Sequence, residues 1–145
     1  MQPANSTTSA NPDGRFARRV FLAAVAWGAL TLLPLPFLKS EIEATGPISH
    51  PEYFYGFIGV CIAFQLVFYM IARDPIRYRP LMLCAVAEKA LFAIPVFVLV
   101  RSSLAPPSLL VFAGVDTLLL LLFAWAYVRT AVPTVGRGAA WGARP

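Results

Sequence analysis

Charge is scarce in this chain: Asp, Glu, Lys and Arg together make up 13% of its 145 residues, against roughly 25% in an ordinary soluble domain. With 59% of residues apolar, there is too little polar side chain to coat a water-soluble fold, and the composition is that of a membrane protein. Histidine is nearly missing as well. His50 alone makes no ligand set of the zinc type, so neither a metal nor a cofactor is expected. Only two cysteines occur, Cys61 and Cys84, both inside apolar segments. Placed at 1.5 Å per residue they differ in depth by about 12 Å, beyond the roughly 4.4–6.8 Å Cα separation of a disulfide, so free thiols are expected. The chain also lacks a Walker loop, GxGxxG, HExxH and GxSxG, which removes the motif-bearing nucleotide, zinc-protease and serine-hydrolase classes.

What is abundant is long apolar sequence. Four runs, 20–38, 53–72, 81–100 and 109–128, are each long enough to cross a bilayer as a helix. The expected fold is all-α, a four-helix membrane bundle over 15–128 in which neighbours run antiparallel. The polar stretch 1–14 reads as a disordered tail, and 129–145, with Arg129, Arg137 and Arg144 among Gly, Ala and Pro, as a flexible basic one. Arg18-Arg19 ahead of the first run resembles a twin-arginine export signal, but no A-x-A site follows and more spans come after, so an uncleaved first span is expected. Pro34 and Pro36 should bend or end that span and widen its mouth. In the second run Gly56, Gly59 and Ala63 form a small-residue strip suited to close approach of another helix.

The basic residues give a direction. Arg15, Arg18 and Arg19, then Arg73, Arg77 and Arg79, then Arg129, Arg137 and Arg144 all fall on one side, whereas Lys39 and Arg101 fall on the other. The positive-inside rule places the richer side, with both termini, in the cytoplasm. The formal net charge of +5 is therefore read as a topology signal facing the lipid bilayer, not as a nucleic-acid surface. Arg73, Arg77 and Arg79 are the candidate lipid-headgroup or topology anchor, and the eight-residue connection that holds them should force the second and third spans together.

Four polar residues interrupt the apolar runs: Gln65, the adjacent Glu88 and Lys89, and Asp116. An ionisable group at the bilayer centre costs about 2.5–3.5 kcal/mol on insertion scales, so it is expected to face a bundle interior or a water-filled cavity. Gln65 and Glu88 lie at the same depth, roughly 18 Å below the outer boundary, and are candidates for a mutual hydrogen bond. Adjacent helical residues do not face each other, so Lys89 is matched with Asp116, although their Cβ directions oppose the contact. Glu88 is then the acid without a cation and the candidate for proton exchange. These four residues form the candidate ligand or proton cluster.

The motif ArgAspProIleArgTyrArgPro at 73–80 leading to Ala87-Glu88-Lys89 resembles small four-helix bacterial integral membrane proteins of uncharacterised function, of which the DoxX-like group is the nearest named family. The resemblance implies an all-α membrane fold in a cell membrane, the inner membrane if the source is a bacterium, and it supplies no catalytic residue. Three function classes follow: a module that binds or transports a small apolar ligand or a proton, a non-catalytic subunit that packs against a homo-oligomer or another membrane protein, and an intramembrane isomerase using Glu88. The last has no second catalytic group.

Overall fold

A computed structural model describes residues 12–44 and 48–131. The expected tails fall mostly outside that range. The described residues form five helices and no strand: α1 (Pro12–Leu32), α2 (Lys39–Glu43), α3 (Pro51–Arg73), α4 (Leu81–Arg101) and α5 (Leu109–Arg129). Three of them, α3, α4 and α5, are long and apolar enough to cross a membrane. Their outward faces suit lipid, with Leu66 at 66% exposure, Leu91 at 75% and Ile94 at 62%. In water such a surface would be an aggregation site.

α1 differs from the first expected span at both ends. It begins at Pro12, inside the supposed tail, because Pro at a helix start loses no hydrogen bond and Asp13 sits in the positive first turn. It ends at Leu32, not at 38. Pro34 has no N–H and disfavours helical geometry at Leu33, so the chain leaves α1 through a turn bonded Leu35 N–H to Leu32 O and Phe37 N–H to Pro34 O. The uncharged part of α1, from Val20 onward, is about 20 Å long. α5 likewise holds Arg129 as its last residue, and the following Thr130 is buried with its hydroxyl donating to Ala126 O at 2.8 Å. The basic tail thus begins after an ordered helix end.

The other breaks follow the same chemistry. Asp74 precedes Pro75 and takes an extended conformation (φ −146°, ψ 84°), while its Oδ1 accepts the Arg77 N–H at 3.1 Å. α4 closes with Ser103 at φ 57° and Leu104 N–H bonded to Leu99 O at 2.9 Å, a left-handed cap of the kind glycine usually makes.

Around the bundle the order is α3, α1, α5, α4. α4 lies along α5, α1 packs on α3 and less on α5, and α3 touches α4 least. The short 73–80 connection does bring α3 and α4 into contact, as expected, but over the smallest of these interfaces, since such a turn fixes only the two ends it joins. Near that turn the interior is solid. Phe21 of α1 stacks on Phe123 of α5 at 4.3 Å and meets Phe68 of α3 at 6.0 Å, among Ala17, Ala24, Ala85 and Ala126. Small residues bring the backbones close and the three rings fill what remains. Because lipid tails are as apolar as Leu, this packing gains dispersion and ring contacts, about 0.5–1.5 kcal/mol per aromatic pair, rather than transfer energy.

The small-residue strip is also placed differently. Gly56 and Gly59 have no neighbour within 4 Å of an added Cβ, and Ala63 is exposed. The strip points away from the bundle. The close approach occurs instead at Gly28 of α1, where a Cβ would stand 2.3 Å from Gln65 Cδ.

Candidate functional site

Above the aromatic plug the interior opens. A cavity of about 650 Å³ lies between α3 and α4, with α1 and α5 behind it, and is lined mostly by apolar side chains. Leu32 and Leu35 line it, so the proline-broken end of α1 forms part of its wall. Phe57 of α3 and Phe92 of α4, with ring centroids 5.9 Å apart, connect the two walls. All four residues of the candidate cluster reach this cavity.

Lys89 is the centre of the polar group. The residue is 6% exposed, and its Nζ lies 3.2 and 3.3 Å from the two Asp116 oxygens. It also sits 5.5 Å over the Phe68 ring, the upper surface of the plug. The inward tilt of Lys89 and outward tilt of Asp116 are overcome by the long lysine stem and by the close packing of α4 on α5. Nζ is also 3.4 Å from Glu88 Oε1 and 3.3 Å from Oε2. One lysine therefore serves two carboxylates, and the expectation that adjacent Glu88 and Lys89 stay apart is corrected: backbone directions diverge, but Lys89 folds back across its neighbour.

The pairing is incomplete. Glu88 Oε2 is buried and, although it lies 3.3 Å from Nζ, makes no hydrogen bond among the described residues. Gln65 is not bonded to Glu88. Its Nε2 donates to Cys61 O at 3.2 Å, one turn back on α3, and its Oε1 is the second buried oxygen without a donor. Gln65 is seated against Gly28, so its direction is set by α1, not by α4. A buried acceptor left without a donor costs about 1–3 kcal/mol. Gln65 and Glu88 both line the cavity, with these two oxygens covered beneath its surface.

The arginines of the 73–80 turn divide. Arg79 belongs to the protein: its guanidinium stacks on Tyr127 at 3.7 Å and Nε donates to Tyr127 O at 3.1 Å, near the negative C-terminal end of α5. Arg73 and Arg77 are exposed, Arg73 within 3.3 Å of the Tyr69 hydroxyl. Cys61 and Cys84 are free thiols on the cavity wall. His50 pairs with Glu52 at 3.0 Å on the surface. No group of three or more metal-type ligands exists among the described residues.

Sequence reasoning missed the aromatic lining and the role of Gly28. The first had a signal, since Trp27, Phe57, Phe92 and Phe112 all lie in the half of each helix away from the plug. The second depends on which face of α1 meets α3, which periodicity alone does not fix. Compared with protein-family models, curated proteins and solved structures, the chain has no match. The helical fold and the three apolar helices are consistent with a membrane protein, and the site itself is the guide to function.

Proposed function

We propose that the protein is a multi-pass integral membrane protein of a cell membrane which holds a small, largely apolar ligand, or a proton, against Glu88, Lys89, Asp116 and Gln65. The observation that carries this reading is the cavity of about 650 Å³ lined by Glu88, Lys89, Asp116 and Gln65, two of whose oxygens are buried without a hydrogen bond. A volume of that order suits a drug-sized ligand gripped by a few polar groups. Four crossings are proposed, with α1 and the 33–38 turn together making the first. Ring contact of Trp27 with Phe112, and an ion pair of Asp13 with Arg129 at 2.8 Å, support α1 running beside α5 for most of the thickness. The split of basic residues supports both termini on the cytoplasmic side, with Arg73 and Arg77 at lipid headgroups.

A second reading, a non-catalytic subunit or homo-oligomer, is favoured by the outward strip of Gly56, Gly59 and Ala63, the kind of surface on which membrane helices associate. The two readings part on Glu88. Protein purified from its membrane should carry a lipophilic molecule detectable by mass spectrometry, and Glu88→Gln should carry less. Equal retention, or none in either, favours the subunit.

Topology is tested separately, in a background with Cys61 and Cys84 replaced by Ala. His50→Cys and Ser103→Cys should react with an impermeant maleimide from outside, whereas Ser6→Cys and Arg77→Cys should react only after the membrane is opened. The reverse pattern contradicts the orientation.

A further inference from the structure

The charges at the floor of the cavity do not balance. Glu88 and Asp116 carry two negative charges when ionised and Lys89 one positive, and among the described residues no other Lys or Arg lines the cavity. Both carboxylates approach Nζ, Asp116 at 3.2 and 3.3 Å and Glu88 at 3.3 and 3.4 Å, but of these four oxygens only Glu88 Oε2 is buried without a hydrogen bond. Glu88 is therefore taken as the acid that carries the excess charge. A net charge in an apolar interior is strongly disfavoured, and two things neutralise it: a proton on the carboxyl or a cation beside it.

We infer that the cavity takes a lipophilic monocation, which binds in exchange for one proton from Glu88. The inference rests on the ligand-binding reading above and names the ligand class. Rings line the space on every side: Trp27 from α1, Phe57 and Phe64 from α3, Phe92 from α4 and Phe112 from α5. Their negative faces attract a cation and repel an anion, and they suit an apolar body. The other titratable groups facing Glu88 are Lys89 and Cys84 on α4, Cys61 on α3 and Asp116 on α5, while α1 contributes Trp27, Gly28 and Thr31, none of which titrates in the neutral range. In the exchange the Glu88 O–H bond breaks, the proton passes to water, and the carboxylate pairs with the cation. Site and ligand together stay neutral, and no bond to the ligand forms.

The test uses the full chain purified in a neutral detergent, with tetraphenylphosphonium as the cation, triphenylphosphine oxide as an uncharged probe and tetraphenylborate as an anion of the cation's shape. Calorimetry in weak buffer should show the cation binding with release of one proton, an affinity that tightens about tenfold per unit rise in pH while the site holds that proton, and no binding of the anion. Glu88→Gln should bind the cation about 30-fold or more less tightly, release no proton, and keep its affinity for the uncharged probe. Glu88→Asp should restore cation binding and proton release. Cation binding without proton release, or equal binding of cation and uncharged probe, overturns the inference and leaves the ligand-binding reading standing. No binding of any probe overturns both. Should Glu88→Gln fail to fold, proton release and the pH slope of the natural protein decide.

Discussion

Lys89→Leu should destabilise the folded protein by about 3–5 kcal/mol, the usual cost of removing one partner from a buried ion pair. The substitution is conservative in volume and more apolar, so hydropathy alone predicts the opposite sign. The difference arises because Lys89 is the cation for both carboxylates, with Asp116 at 3.2 Å and Glu88 at 3.3 Å. Leucine at this position leaves two acids facing each other across an apolar cavity. Unfolding in mixed micelles of neutral detergent and dodecyl sulfate measures the effect, and Lys89→Leu combined with Asp116→Leu should recover much of the loss. A single substitution that raises stability would mean that the lysine does not bind Asp116 in the membrane and instead extends toward water.

The second large effect concerns insertion. The segment 81–100 contains eleven Leu, Ile, Val and Phe residues, which supply about −3 to −7 kcal/mol on the insertion scale. Glu88 and Lys89 oppose this with about +5 to +7 kcal/mol, before any cost of Pro95. Their sum is near zero or unfavourable, so α4 alone should insert poorly. The neighbour that rescues it is α5. α4 packs along α5 and takes Asp116 from it, whereas α3 barely touches α4. In a translocon assay a fragment spanning 81–129 should therefore insert α4 more completely than one spanning 51–101, although the second keeps the short 73–80 turn. Near-complete insertion of the isolated segment, or a stronger rescue by α3, contradicts this.

Much of the fold is legible in the sequence because apolar length and proline position are local properties. The ends of α3, α4 and α5 stand within two residues of the expected spans. At 100° per residue Leu83, Ile94 and Val98 fall on one face of α4 and are exposed, whereas Ala85, Lys89 and Val96 fall on the other and are buried. Less legible is anything set by how helices stand beside one another. That α1 comes between α3 and α5, leaving a gap between α3 and α4, follows from the seating of Gln65 on Gly28 and the stacking of Phe21 with Phe123. Neither contact has a signature at fixed sequence spacing. Gly56 and Gly59 show the converse: a motif suited to helix approach carries no information on whether the partner lies in the same chain. For the polar cluster, residue type and depth selected the four members and the Lys89–Asp116 pair, but not the rest of their bonding. Lys89 bonds its neighbour Glu88, and Gln65 turns back to its own helix.

The central claim is that the interior above Phe21, Phe68 and Phe123 holds a molecule other than the protein. It is tested most directly by an experimental structure in a lipid nanodisc, at a resolution that separates side chains from ligand. The expected result is non-protein density between α3 and α4, with a polar end within hydrogen-bonding distance of Glu88 Oε2 or Gln65 Oε1. If α3 and α4 instead close together, with side chains filling the space and Glu88, Gln65, Lys89 and Asp116 all paired among themselves, the ligand-binding reading is contradicted and these residues only lock the helices in register.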